Sequence, residues 1–115
     1  MPQDYQAIAK QVFDIEAEAI LNLKNQLDAD FNGSVEAIIN TQGRVVICGM
    51  GKSGLIGKKI MATFASTGTP CFFMHPGEAF HGDLGMVSPN DVFLALSNSG
   101  ETEEVIRLLP FLKDN

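Results

Sequence analysis

The stretch that decides the fold is RVVICGMGKSG, residues 44–54. Its first half is almost entirely apolar, as in a strand that is buried on both faces of a parallel sheet. Its glycines predict a tight turn, and the apolar spacing of residues 53–67 predicts a helix directly after that turn. A strand that leads through a short turn into a helix is the first half of a βαβ unit.

The same alternation continues along the chain. Apolar runs predict two more strands at residues 70–74 and 91–97, separated by a long loop, and a last helix begins near Thr102 with a kink at Pro110. This order predicts an α/β fold, a three-layer α/β/α sandwich with a parallel sheet. Because a typical sheet has about five or six strands, we expect residues 1–115 to be the truncated, amino-terminal portion of a larger domain.

Two helices are predicted ahead of the sheet. Apolar residues at steps of three and four indicate a long amphipathic helix over residues 4–28. Asn32-Gly33 is a turn signal that predicts a break in the helical pattern, and Ser34 is placed to cap a short second helix.

Composition and charge limit the possible partners. Neither a signal-peptide core nor an apolar run of membrane-spanning length is visible in the 115 residues, so we expect a cytoplasmic protein without a membrane partner. The net charge of −6 argues against a nucleic-acid partner. Residues 44–77 nevertheless hold four Lys or Arg and no acid. This basic segment could attract a small anion, or its Lys58 and Lys59 could form an ordinary solvated helix face.

The glycine turn matches two nucleotide motifs, and both matches are incomplete. A P-loop would need a glycine where Val46 stands, and a dinucleotide site would need an acid at the end of the second strand, which reads Phe73-Met74-His75. What remains is a helix amino terminus at the carboxyl end of a parallel strand, where free amides can hold an anion. Gly51, Lys52 and Ser53 are the candidates there.

The third strand leads into a similar segment, SNSGET. Its hydroxyls, from Ser97, Ser99 and Thr102, suit a phosphate monoester, which offers several acceptor oxygens. Ordinary capping of the next helix by Ser99 is an equally simple explanation of this segment taken alone. Connections that follow parallel strands meet at one sheet edge, and this convergence favours the binding role.

Proton carriers are predicted at the same edge. Lys52, His75, His81, Glu103 and Glu104 could supply the base, the acid and the cation that isomerisation of a sugar phosphate requires. Each also has a simpler explanation, as an exposed lysine, a loop hydrogen-bonder or a first-turn acid that balances the helix dipole. The spacing of the two histidines is not that of a recognised metal site.

In this order, GMGKSG, HPGEAFHGDLG and LSNSGETEEV resemble the SIS (sugar isomerase) domain of the arabinose 5-phosphate isomerase family. The resemblance implies a flavodoxin-like SIS fold, with the rest of the SIS domain and paired CBS domains expected in the parent protein. It implies catalytic roles for Lys52, His81 and Glu104. It also implies substrate contacts at Gly68 and Thr69, and a position that can meet a bound zinc at His75.

The resemblance also implies a reaction and an assembly. Members of the family interconvert D-ribulose 5-phosphate and D-arabinose 5-phosphate, the step that leads to the Kdo sugar of lipopolysaccharide or capsule, without a required cofactor and typically as tetramers. Two alternatives stay open: an SIS domain that senses a phosphosugar without catalysis, and an SIS isomerase of another sugar phosphate.

Overall fold

The computed structural model describes residues 2–115, which form two compact units divided after Glu36. The first unit begins with helix α1 (Tyr5–Asn22), continues through a 3-10 turn (Leu23–Gln26) and enters helix α2 (Ala29–Asn40). The carboxylate of Asp4 caps α1 by accepting the Ala7 N–H at 3.1 Å. All side chains of residues 2–36 are exposed, so this unit contains no buried core of its own.

The predicted break at Asn32-Gly33 is wrong, because α2 runs through both residues. The helix is capped earlier, where the Asp28 carboxylate accepts the Phe31 N–H at 3.2 Å. Ser34 lies inside the helix, and its hydroxyl donates to the Asp30 carbonyl at 2.8 Å rather than capping anything. A glycine inside a helix lowers the stability of the helix by only about 1 kcal/mol relative to alanine, and the helical turns on either side of Gly33 outweigh this loss.

Three parallel strands form the sheet of the second unit. They are β1 (Val45–Gly49), β2 (Cys71–Met74) and β3 (Val92–Leu96), in the spatial order β2-β1-β3. Every residue of the central strand β1 is buried, as its continuous apolar run predicts. This arrangement confirms the predicted α/β fold with a parallel sheet.

Helices cover both faces of the sheet. Helix α3 (Gly51–Ser66) lies on one face, where Gly57 approaches so closely that an added Cβ would be 3.1 Å from Ile47 Cγ2. The other face packs on short helices, α4 (Pro76–Ala79), α5 (Glu103–Ile106) and α6 (Leu109–Asp114). The core there joins the strand residues Val46, Cys48 and Met74 to helix and turn residues Ala79, Leu84 and Leu108.

Two connections differ from their predictions. The segment after β2, predicted as a loop, contains α4 and a 3-10 turn (Asp83–Met86). The predicted last helix divides into α5 and α6 after Ile106, and Pro110 lies in the first turn of α6. Because a proline lacks the amide N–H that would continue the helical hydrogen bonds, the helix is interrupted where the sequence predicted only a kink.

The amino ends of the strands are held by Asp91. Its carboxylate accepts the Arg44 N–H and the Ser88 N–H, each at 2.8 Å. Burial alone would raise the pKa of Asp91, but these hydrogen bonds and the Arg44 charge outweigh it and leave the pKa below its ordinary value. The Arg44 guanidinium also donates to the Met86 carbonyl at 2.8 Å and lies over the Phe72 ring.

Between residues 2 and 115, none of the helices is long and apolar enough to cross a membrane.

Candidate functional site

A cavity of about 610 Å³ opens at the carboxyl edge of the sheet, where β1 and β3 end. This volume falls within the range of small-molecule sites, which is about 300–1,000 Å³. Its lining comprises three residues that the sequence singles out and four that it does not: Lys52, Ser53 and Ser97, with Met50, Ile56, Leu96 and Asn98. The predicted convergence of the two strand connections is therefore present.

The amino terminus of α3 forms one wall of this cavity. Met50 precedes the helix in an extended conformation and makes no side-chain cap, so the first amides of α3 have no acceptor from a capping side chain. Gly51 adopts a positive φ of 58°, which turns the chain from strand into helix. Lys52 is the cation of the lining, while Arg44 of the same basic segment lies at the opposite edge.

Gly54 explains why the turn is rich in glycine. A Cβ added at Gly54 would lie 2.6 Å from the Gly49 carbonyl oxygen, well inside van der Waals contact. The glycines thus let α3 begin directly against the end of β1. This close approach brings Lys52 and Ser53 beside the segment that follows β3.

Hydrogen bonds between its own residues hold the SNSGET segment in place. The Ser97 and Thr102 hydroxyl oxygens are 2.7 Å apart, and Ser97 Oγ also accepts the Gly100 N–H at 3.0 Å. Ser99 Oγ accepts the Glu101 N–H at 3.0 Å, and Gly100 adopts a positive φ of 72°. Two hydroxyls that share one hydrogen bond keep one proton unused, so the Ser97–Thr102 pair retains an O–H donor for an anion.

His81 and Glu104 lie on neighbouring elements outside the cavity lining. His81 is exposed and follows α4, and Glu104 is exposed in the first turn of α5. The two elements contact each other, and the Arg107 guanidinium lies 5.4 Å from the centroid of the Phe80 ring. Catalytic roles for Lys52, His81 and Glu104 stay predictions, since the structure brings only Lys52 to the cavity.

Gly68 and Thr69 lie between α3 and β2, at the amino end of that strand. The Thr69 N–H donates to the Phe64 carbonyl at 2.8 Å, which closes the end of α3. This is the sheet edge opposite the cavity, so the structure does not bring the two residues to Lys52. Their predicted contact with substrate stays a prediction.

Four lining residues are not predicted by the sequence motifs. Met50 directly follows β1, Leu96 ends β3, and Asn98 lies inside SNSGET, so proximity to the quoted motifs was the available signal. Ile56 carried none. It follows Lys52 by one helical turn, and only the packing of α3 on the sheet decides that this face meets the cavity.

The described residues of this chain do not form a zinc site by themselves. Throughout residues 2–115, no group of three or more His, Cys, Asp or Glu side chains is arranged to hold a metal ion. His75 is exposed, and its Nδ1 accepts the Gly77 N–H at 2.9 Å. A protein site for zinc ordinarily supplies three or four ligands, so His75 alone is insufficient.

Comparison with known proteins identifies the family. The family model described as SIS domain matches residues 38–115, which include the whole sheet and the cavity. The chain belongs to the SIS domain family. The match leaves out residues 1–37, and the expectation that residues 1–115 are one portion of a longer SIS domain followed by CBS domains stays a prediction.

Relatives of this SIS domain include two enzymes named arabinose 5-phosphate isomerase KdsD. The one from Yersinia pestis is 57% identical over 110 residues, and the one from Escherichia coli K12 is 54% identical over 110 residues. Each alignment covers 96% of this chain and 34% of the relative. The chain therefore spans about a third of the length of these relatives.

Solved structures show the same fold. A protein of Escherichia coli CFT073, solved in complex with arabinose 5-phosphate, matches with a TM-score of 0.89 and 44% identity. The match covers 99% of this chain and 61% of that one. A candidate phosphosugar isomerase of Bacteroides fragilis, involved in capsule formation, matches with a TM-score of 0.89 and 38% identity over 96% of this chain and 58% of that one.

Proposed function

We propose that this SIS domain carries the sugar-phosphate site of an arabinose 5-phosphate isomerase, which interconverts D-ribulose 5-phosphate and D-arabinose 5-phosphate. The observation that carries the proposal is the cavity in which Lys52, Ser53 and Ser97 meet. Its support is the 44% identity to a protein solved with arabinose 5-phosphate and the 54–57% identity to enzymes named for this reaction.

The phosphate binds between the two strand connections. Ser99 and one hydroxyl of the Ser97–Thr102 pair supply donors from one side, and the first amides of α3, at Gly51 and Ser53, supply donors from the other. Lys52 adds a positive charge that a phosphate dianion attracts. The apolar lining residues then face the carbon skeleton of the sugar.

The reaction moves a proton between adjacent carbons. A base takes a proton from C1 of the ketose, a cation stabilises the negative charge that develops on O2, and protonation of O2 gives an enediol. Return of the proton to C2, with loss of the O1 hydroxyl proton, gives the aldose. We assign the carbon proton to Glu104, the hydroxyl protons or ring opening to His81, and the oxyanion to Lys52. No cofactor is required by this chemistry.

A second candidate function is a phosphosugar sensor without catalysis. It is favoured by one observation, that His81 and Glu104 lie outside the cavity lining. A sensor needs the hydroxyl cradle and has no use for a base. The two functions therefore differ in the consequence of removing Glu104.

The proposal extends to the whole protein. We propose a cytoplasmic homo-oligomer, a tetramer, that supplies arabinose 5-phosphate for the Kdo of lipopolysaccharide or capsule. The net charge of −6 supports a small-molecule substrate and no nucleic-acid or anionic-membrane partner. Size-exclusion chromatography with light scattering measures the oligomer directly.

The test is conversion of ribulose 5-phosphate by the complete protein that contains this chain, followed by NMR of the arabinose 5-phosphate signals. Glu104→Gln should abolish turnover and keep binding, whereas Ser99→Ala should chiefly weaken binding. Binding without turnover in the unaltered protein would establish the sensor instead. Turnover of another sugar phosphate in preference to ribulose 5-phosphate would place the protein among the other SIS isomerases.

A further inference from the structure

His75 occupies the position between β2 and α4 that caps a helix. Its backbone is extended, with φ −80° and ψ 127°, and its ring Nδ1 accepts the Gly77 N–H at 2.9 Å. Pro76 follows in the first turn of the helix, where the missing amide costs nothing. A Cβ on Gly77 would be 3.0 Å from the ring atoms Cε1 and Nδ1 of His75, so the absence of a side chain there gives the ring its place.

The hydrogen bond from the Gly77 N–H determines which nitrogen of the His75 ring carries the proton. A neutral imidazole has one nitrogen that accepts and one that carries the proton. Because Nδ1 accepts the Gly77 amide, Nε2 carries the proton, and neither nitrogen offers a free lone pair. A zinc ion at His75 would have to displace either the amide or the Nε2 proton, and the described residues supply no set of three ligands to compensate.

The cap is connected to His81 through the backbone. The Glu78 N–H donates to the His75 carbonyl at 3.0 Å, and the His81 N–H donates to the Glu78 carbonyl at 3.0 Å. Pro76 and Ala79 are buried and hold α4 against the core. The direction in which the chain leaves α4, and hence the place of His81, follows from where α4 begins.

We infer that His75 is a positioning residue: its Nδ1 caps α4 and thereby places His81, and in this capped state it is not a zinc ligand. The link to catalysis rests on the proposed function, in which His81 transfers protons. The capping itself does not depend on that function.

Asparagine and alanine at position 75 separate the two roles. Asparagine is among the best N-cap residues, because its side-chain oxygen accepts the same first-turn amides, but it neither transfers protons nor replaces imidazole at zinc. We expect His75→Asn to keep kcat within about threefold, and His75→Ala to lose roughly ten- to a hundredfold in kcat with a smaller change in KM. Equal losses in both variants would overturn the inference.

Two measurements need no turnover. Long-range ¹H–¹⁵N NMR of the complete protein should show His75 in the form protonated at Nε2, and exchange of the Gly77 amide should accelerate in His75→Ala but not in His75→Asn. Calorimetric titration with zinc alone should give the same affinity in the unaltered protein and in His75→Asn. Loss of zinc binding in His75→Asn would refute the statement that His75 is not a zinc ligand, and a ring protonated at Nδ1 would refute the capping role.

These readouts also distinguish the two proposals. An unaltered protein without isomerase activity would refute the proposed function, while the tautomer, the Gly77 exchange rate and the zinc titration would still decide what His75 does. Far-UV circular dichroism and thermal unfolding of both variants show whether any loss arises from unfolding.

Discussion

The hydrogen bond between the Ser97 and Thr102 hydroxyls predicts how many of their two protons remain for a ligand. The two hydroxyl oxygens are 2.7 Å apart, so one proton lies between them and the other is free to meet a phosphate oxygen. Ser97→Ala leaves Thr102 with its proton, and Thr102→Val leaves Ser97 with its own. We therefore expect Thr102→Val to bind arabinose 5-phosphate nearly as well as the unaltered protein, because one donor survives. Ser97→Ala also removes the acceptor of the Gly100 N–H, so it should bind less well than Thr102→Val but better than the double variant.

The double variant loses the last donor of the pair. A hydrogen bond to a charged group contributes about 1.5–3 kcal/mol, which corresponds to roughly a ten- to 150-fold weaker affinity. Isothermal titration calorimetry with arabinose 5-phosphate measures all four proteins, and Thr67→Val, which removes a hydroxyl at the far end of α3, serves as the control. Full losses in both single variants that add in the double variant would refute a shared proton.

Three further predictions concern stability and reactivity. Because the folded-state pKa of Asp91 lies below its ordinary 3.8, its stabilising effect is present above about pH 4 and is lost as the pH falls through the lowered value. Urea unfolding of Asp91→Asn should accordingly depend less on pH below about pH 4. Burial raises the pKa of Cys48 to about 11, so iodoacetamide at pH 8 should leave Cys48 unmodified in folded Cys71→Ser, as mass spectrometry will show. Gly54→Ala should lower the free energy of unfolding by about 1–3 kcal/mol, since its Cβ meets backbone at 2.6 Å, whereas Gly33→Ala, with open space, should not lower it.

The sheet could be predicted because its signal is local. Residues 45–49 are apolar without interruption, and a run of that length that leads into a glycine turn has few alternatives to a buried parallel strand. The edge at which the cavity lies followed from the same reasoning, since connections after parallel strands share one edge. The break predicted at Asn32-Gly33 failed because a local turn signal is weaker than the helical turns on either side of it.

Long-range pairing could not be predicted. Arg44 belongs to the basic segment of residues 44–77, and charge alone suggests that it helps to attract an anion. In the structure it bonds to Asp91, 47 positions later, and lies at the edge opposite the cavity. No spacing rule links two such residues, because their meeting depends on the register between β1 and β3, in which Val45 lies beside Val92.

The composition of the cavity wall depends on how α3 is rotated about its axis. Gly54 and Gly57 are the buried residues of α3, and a Cβ on either would lie within 3.1 Å of a strand atom. With these two positions against the strands, Lys52, Ser53 and Ile56 are the helix residues that border the cavity. The two glycines therefore set which side chains of the first turns of α3 border the cavity, so that packing of the helix on the sheet places Lys52 there.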